Sequence, residues 1–163
     1  MISALLLLQR HALAACLALA ALLLVPFATG LAQPVFSGTQ YTVTTLVDED
    51  NGNLIDTNGT GTSLREAVKY SAAGDRIVFG SLVGSAFLTL GVMPVSHDLI
   101  IDGPGSAIIE INGNDLSGIF LGGFGVKLEI EGLTLASGRA VFGAAIVSQG
   151  GLWLSNVAVR WST

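Results

Sequence analysis

Three aspartates occupy one short loop of the 163-residue chain and are its clearest candidates for metal chemistry. Asp48, Asp50 and Asp56 lie in the segment DEDNGNLIDTNGTGT, residues 48–62. Calcium takes several oxygen ligands from one flexible loop, so these carboxylates form a candidate calcium site. The loop departs from the EF-hand pattern, because Asn53 and Gly59 stand where that pattern has glycine and glutamate. The alternative is a solvated turn that binds no metal.

Polar residues also recur at one position of four short segments whose first and third residues are aliphatic. The aligned position holds Asp102, Asn112, Glu131 and Ser155. Glu129 lies two residues before Glu131, on the same side of its strand and about 7 Å away. A stripe of this kind could bind sugar hydroxyls or a cation. The alternative is the polar outer surface that any solenoid requires.

The residues expected of a carbohydrate-cleaving enzyme are incomplete. Abstraction of a proton beside a sugar carboxylate requires clustered acids that hold calcium and a basic residue. Lys127, Arg139 and Arg160 supply basic side chains, but none lies in a lyase signature. His97 precedes Asp98 at the start of a strand and is predicted to be a turn residue. No catalytic residue is therefore assigned.

Two tryptophans near the C-terminal end offer another kind of contact. If Leu152 and Leu154 face a core, Trp153 faces outward. An exposed indole can stack on a sugar ring, and it can also pack against a neighbouring strand or a partner. The same ambiguity applies to Trp161.

The first 32 residues are predicted to be a secretory signal peptide. Arg10 precedes an uncharged apolar run from Ala12 to Val25, and small residues follow up to Ala32. A run this short fits a secretory signal better than a membrane span, and an uncleaved anchor is the alternative. The only cysteine, Cys16, lies in this leader within LAAC, which also matches a lipoprotein cleavage pattern. We therefore expect a secreted or cell-surface protein whose mature chain has no disulfide.

The charge balance argues against nucleic acid as a partner. Twelve acidic residues outnumber seven basic ones, which gives a formal net charge of −5. The basic residues are spread along the chain and form no patch, whereas nucleic-acid-binding proteins concentrate them on one surface.

A short capped helix is predicted near the N-terminus, between strands expected at YTVTTLV and RIVF. Ser63 and Glu66 have the spacing of a capping box. Apolar residues then fall on one face over about two turns, and a glycine is placed to end the helix. The apolar positions are Leu64, Ala67, Val68 and Ala72, and the glycine is Gly74.

The rest of the chain carries an internal repeat that predicts a β-solenoid. An alternating strand followed by a turn recurs at about twenty residues, so that stacked turns pool their aliphatic rows into one core. The short helix would cover the open first turn as a lid. An antiparallel sandwich is the alternative fold. The aligned segments are LIIDG (99–103), IEING (109–113), LEIEG (128–132) and LWLSN (152–156).

The segment TVTTLVDEDNGNLIDTNGTGTSLREAVKYSAAGDRIVF resembles the CSLREA domain, an amino-terminal module of bacterial surface proteins. The later segments LIIDGPG, LEIEGLTLASG and GAAIVSQGGLWLSNVAVRWST look like the β-helix that follows this module. The resemblance covers roughly residues 40–163 and implies a right-handed parallel β-helix of the pectin-lyase-like fold. Thr62 stands where the family motif has cysteine, so a disulfide implied by that motif is absent. The family implies export without an established common activity.

Together these observations predict an all-β protein with a signal peptide (1–32), an N-terminal cap module (33–80) and parallel β-helix turns (81–163). The turns are expected to be incomplete, because the chain ends within a repeat. The predicted function is that of a structural, adhesin-like surface module with polysaccharide as its candidate partner. Contact with a membrane is expected only through the leader or a further C-terminal anchor. The alternative is the N-terminal part of a pectate-lyase-like or other carbohydrate-active enzyme.

Overall fold

The computed structural model describes residues 32–54 and 59–163, which belong to one compact unit, Ala32–Thr163. Residues 1–31 of the predicted signal peptide, and Asp56, lie outside the described residues. The described part contains one short helix and twelve strands. They are β1 (Gln40–Val43), α1 (Leu64–Tyr70), β2 (Asp75–Phe79), β3 (Gly84–Phe87), β4 (Met93–Val95), β5 (Leu99–Asp102), β6 (Ile109–Asn112), β7 (Phe120–Gly122), β8 (Lys127–Glu131), β9 (Thr134–Ala136), β10 (Ile146–Ser148), β11 (Gly151–Ser155) and β12 (Ala158–Arg160).

The strands form three parallel sheets that are visited in turn, which confirms the predicted parallel β-solenoid. Sheet A has the order β1-β2-β5-β8-β11, sheet B has β3-β6-β9-β12, and sheet C has β4-β7-β10. Every strand therefore pairs with its equivalent one turn away, and about three complete turns precede a last pair of strands. The alternative of an antiparallel sandwich is wrong.

One turn of the solenoid is longer than the sequence alignment predicts. Leu99 pairs with Leu128, and Leu128 pairs with Leu152, so equivalent positions lie roughly 24 to 29 residues apart. The segments LIIDG, LEIEG and LWLSN stack in sheet A as predicted, but IEING belongs to sheet B. Both sheets bury every second residue against the same core, so alternation alone did not distinguish them.

Aliphatic columns run along the inside of the stack and form the core. In sheet A, Ile77, Ile101 and Ile130 occupy one column and each has no exposed surface. Sheet B continues the core with Ile111 and Leu135, which pair in register and are also fully buried. Each such side chain stabilises the fold by about 1.5–3 kcal/mol. A residue cannot leave its column without disturbing its neighbours. The alignment of the outward side chains between turns is therefore fixed as well.

Glycines form the corner between sheets A and B in successive turns, as the repeat predicts. Gly103 follows β5 and Gly132 follows β8. A Cβ on Gly103 would overlap the carbonyl oxygen of Gly132, and Gly132 has a φ of 62°. Close stacking and a left-handed backbone therefore both require glycine at this corner.

The helix has the predicted N-terminus and a different C-terminus. The Ser63 side chain accepts from the Glu66 backbone, and the Glu66 side chain accepts from the Ser63 backbone, so the capping box is confirmed. The helix ends at Tyr70 and is not ended by Gly74, because the next residue turns to an extended conformation. Ala72 is exposed outside the helix, and its backbone N–H donates to the Asp75 carboxylate at 2.7 Å. That local hydrogen bond replaces a further helical turn.

The helix closes the core at one end of the stack. It packs against β4, which is the first strand of sheet C, and also contacts β1 and β2. Its apolar residues Leu64, Ala67 and Val68 are buried in the same core cluster as the strands. The predicted capping helix is confirmed. The first strand of sheet A at this end is β1, so the helix covers the core and not the edge of that sheet.

A buried ion pair fastens this cap to the first turn. Arg65 Nε and Nη2 donate to the Asp48 carboxylate at 2.6 and 3.1 Å, and the two side chains are 9% and 2% exposed. Asp48 also accepts from the backbone N–H groups of Thr89 and Leu90 at 2.6 and 2.8 Å. Arg65 donates in addition to the Gly91 carbonyl at 2.5 Å. Burial of Asp48 raises its pKa. The hydrogen bonds from Arg65, Leu90 and Thr89 and the positive charge of Arg65 outweigh burial and lower the pKa below 3.8.

We expect Asp48→Asn to lower the free energy of unfolding by about 3 kcal/mol, because it leaves the buried Arg65 cation without its counter-charge. The matched control is Asp50→Asn, since Asp50 pairs with Lys69 at a largely exposed site. That change is expected to cost at most about 1 kcal/mol. Urea unfolding of the two variants measures both values. Equal losses would show that the Asp48–Arg65 pair does not anchor the cap.

Candidate functional site

The two described aspartates of the predicted calcium loop, Asp48 and Asp50, bind different groups of the protein. Asp48 is part of the buried pair with Arg65 and is therefore not in a solvated turn. Asp50 accepts from Lys69 Nζ at 2.5 Å and from the Tyr70 hydroxyl at 2.7 Å, and these bonds lower its pKa below 3.8. Among the described residues, no three His, Cys, Asp or Glu side chains group as metal ligands. Calcium binding by this loop stays a prediction, because Asp56 lies outside that range.

The outer surface of sheet A carries most of the predicted polar stripe. Asp102, Glu131 and Ser155 pair in register across three turns, and Glu129 pairs with Trp153 beside them. The prediction was wrong for the residue of sheet B: Asn112 pairs there with Phe87 and Ala136. Val78 and Ile100 lie on the outward side of sheet A as well, in register with Asp102 and Glu129. We define the sheet A face by its outward polar and aromatic residues, which are Arg76, Asp102, Lys127, Glu129, Glu131, Trp153 and Ser155.

Trp153 faces outward and lies along its own strand. Its neighbours Leu152 and Leu154 pair with the fully buried Leu128 and Ile130, so they occupy the inner side. The indole packs over the Cα of Gly151, where a Cβ would overlap its six-membered ring. Gly151 thus provides the space that holds a half-buried aromatic side chain against the surface of the sheet.

The charges on this face are only partly neutralised. Arg76 Nη1 lies 3.3 Å from Asp102 Oδ2, and its guanidinium packs 5.3 Å from the centre of the Phe36 ring. Within the described part of the chain, Glu129 and Glu131 form no ion pair. Two adjacent carboxylates beside an aromatic ring are therefore available to hydroxyl donors.

His97 has a structural position at the corner before sheet A. Its Nε2 lies 3.0 Å from the Ser71 hydroxyl at the end of α1, and its Nδ1 lies 3.3 Å from the Ser96 hydroxyl. Burial lowers its pKa below 6.5, although the negative charges of Asp75 and Asp98 act in the opposite direction. The imidazole joins the end of α1 to the corner before β5, which agrees with the prediction of a turn residue.

The three basic residues considered for catalysis lie on different parts of the solenoid. Lys127 begins β8 in sheet A, Arg139 is exposed in the corner between sheets B and C, and Arg160 ends β12 in sheet B. Lys127 Nζ lies 4.0 Å from Asp98 Oδ2. Within the described residues, the three basic side chains do not converge on one cluster of acids, as a lyase site would require.

Sequence reasoning missed a polar groove on the outer surface of sheet B. The groove has a volume of about 360 Å³ and is lined by residues that include Ser85, Ser106, Glu110 and Arg160. The alternation in IEING does place Glu110 outward. Because this segment resembles the strands of sheet A, its sequence did not indicate a second outer surface.

No protein-family model, curated protein sequence or solved structure matches the chain. Membership of the CSLREA family therefore stays a prediction from the residues around SLREA.

In residues 32–54 and 59–163, no helix combines the length and the apolar character needed to cross a membrane.

We expect Gly151→Ala to displace the Trp153 indole, because the new methyl group needs the space that the ring fills. In a Trp161→Phe background, the fluorescence emission of Trp153 should shift to longer wavelength as the ring moves into water. The free energy of unfolding should fall by less than about 1 kcal/mol, because only the far end of a side chain moves. The control is Gly122→Ala in sheet C, which should leave the emission unchanged; an unshifted Gly151→Ala spectrum would contradict the placement of the ring.

Proposed function

We propose that this protein is an exported or cell-surface structural module of the adhesin type, without catalytic activity of its own, that binds polysaccharide through the sheet A face. The observation that carries the proposal is the half-buried Trp153 beside Glu129, with which it pairs in register. The apolar side of a sugar ring packs on an indole, while the ring hydroxyls donate to carboxylates.

The solenoid supports this role by making the face rigid. Five of its seven residues project from β2, β5 and β8, whose inner aliphatic residues are buried, so little conformational freedom is lost there when a ligand binds. Outward positions recur at intervals of about 4.8 Å along the stack, in the columns Arg76, Ile100, Glu129, Trp153 and Val78, Asp102, Glu131, Ser155. A repeating surface of this kind suits a repeating polymer.

The composition of the described part also suits a location outside the cell. Its core is formed by packed aliphatic side chains and by hydrogen bonds between turns, and the only cysteine of the chain lies outside it. A domain held together in this way does not depend on disulfide formation. Export through the predicted leader is part of the proposal.

The proposal is tested by Trp153→Ala in affinity electrophoresis through gels that contain neutral or acidic polysaccharides. We expect the protein to be retarded by at least one polysaccharide and the variant to lose at least about tenfold in affinity. The control is Trp161→Ala, which removes a more exposed indole away from the sheet A face. Equal affinities of the two variants would contradict the proposed site.

A second readout distinguishes binding from catalysis. Incubation with polygalacturonate and calcium should release no unsaturated products. Clear turnover would contradict the structural module and support the alternative, a carbohydrate-active enzyme.

A further inference from the structure

We propose that the groove on sheet B binds a small zwitterion of the peptide type, with an ammonium group at Glu110 and a carboxylate at Arg160. The groove lies on a different sheet from the face assigned to polysaccharide, and the two sites are independent. Its volume of about 360 Å³ lies within the range of small-ligand sites.

One side of the groove is built by a long corner. The chain passes from β5 to β6 through residues 103–108, whereas two residues, Gly132 and Leu133, connect β8 to β9 one turn later. The longer corner is fixed to the following turns, because Thr134 Oγ1 donates to the Ser106 carbonyl at 2.6 Å. The Ser106 hydroxyl also donates to Asn156 Oδ1 at 3.3 Å. The wall is thus held by contacts that span two turns.

The negative end of the groove is the Glu110 carboxylate, which two hydrogen bonds position. Glu110 Oε1 accepts from Asn112 Nδ2 at 2.9 Å and from the Ser85 hydroxyl at 3.4 Å. Within the described residues, Oε2 accepts no hydrogen bond and Glu110 forms no ion pair. One oxygen therefore fixes the side chain, and the other is available to a donor on a ligand.

The positive end is the guanidinium of Arg160, which ends β12 in sheet B. Arg160 pairs in register with Ala136, and Ala136 pairs with Asn112, so Arg160 lies two turns from β6 and two residues further along than Glu110. Strand spacing and rise place the two Cα atoms about 12 Å apart. Arg160 has no ion pair in residues 32–54 and 59–163, and a guanidinium binds carboxylate by two parallel hydrogen bonds.

The walls favour a peptide over a sugar. Val83 and Ile108 line the groove with 77% and 37% of their surface exposed, which suits an aliphatic side chain. None of the residues that line the groove is aromatic, so it has no platform for a sugar ring. Opposite charges at its two ends match the termini of a peptide of about three residues, at about 3.3 Å per residue.

The test is a titration of the ¹⁵N-labelled purified protein, followed by amide chemical shifts. Trialanine with free termini should perturb the amides of Glu110, Thr134 and Arg160, and N-acetyl-trialanine amide should bind at least about tenfold more weakly. Free alanine is the third probe: it is too short to reach both charges and should bind at least about tenfold more weakly than trialanine. Equal binding of free alanine would contradict a peptide that spans the groove.

Glu110→Gln and Arg160→Gln should each weaken trialanine binding at least about tenfold. The controls Asp115→Asn and Arg139→Gln remove the same charges from exposed corners and should change the affinity less than about twofold. Circular dichroism and the unperturbed amide spectrum verify that each variant is folded. Trp153→Ala should retain trialanine binding, which separates this site from the sheet A face.

Three results would overturn the proposal. They are the absence of shift changes in the groove at saturating trialanine, equal binding of the peptide with blocked termini, and unchanged binding by the variants at Glu110 or Arg160. Perturbation of the groove by a neutral oligosaccharide alone would also overturn it and would assign the groove to carbohydrate.

Discussion

Parallel pairing between successive turns is the constraint from which the other features of this protein follow. Each inner aliphatic residue packs on its equivalents in the neighbouring turns, as Ile77, Ile101 and Ile130 do in sheet A. The register that buries this column also stacks the outer residues, so Asp102 must lie beside Glu131. The acidic and aromatic surface of sheet A and the groove of sheet B are thus consequences of how the core is packed.

A stack of this kind exposes its core wherever no further turn covers it. At the N-terminal end, the helix, β1 and the Asp48–Arg65 pair cover the first turn, and the core residues below them are buried. At the other end, Leu152, Leu154 and Val159 are 37%, 47% and 53% exposed, whereas their partners one turn earlier are fully buried. Equivalent inner positions are thus buried where a neighbouring turn covers them.

Local signals predicted the parts of the fold that depend on neighbours in sequence. The capping box of Ser63 and Glu66 and the alternating strands were recognisable because their residues interact over three or two positions. The Asp48–Arg65 pair was not recognisable, because it joins residues on two elements and is completed by backbone groups from the corner that follows β3. The length of a turn was predicted too short for a similar reason. Strands of sheets A and B show the same alternation, so only the three-dimensional register tells them apart. The leader and the family resemblance stay predictions from sequence alone.

The most direct test of the stacking is disulfide trapping in a chain whose Cys16 is replaced by serine. Asp102 and Glu131 are paired in register on neighbouring turns, and adjacent strands lie about 4.8 Å apart, within the range that a disulfide spans. We expect Asp102→Cys with Glu131→Cys to cross-link on mild oxidation. Asn112→Cys with Glu131→Cys should not, because Asn112 belongs to sheet B. Cross-linking of the second pair and not of the first would contradict the account.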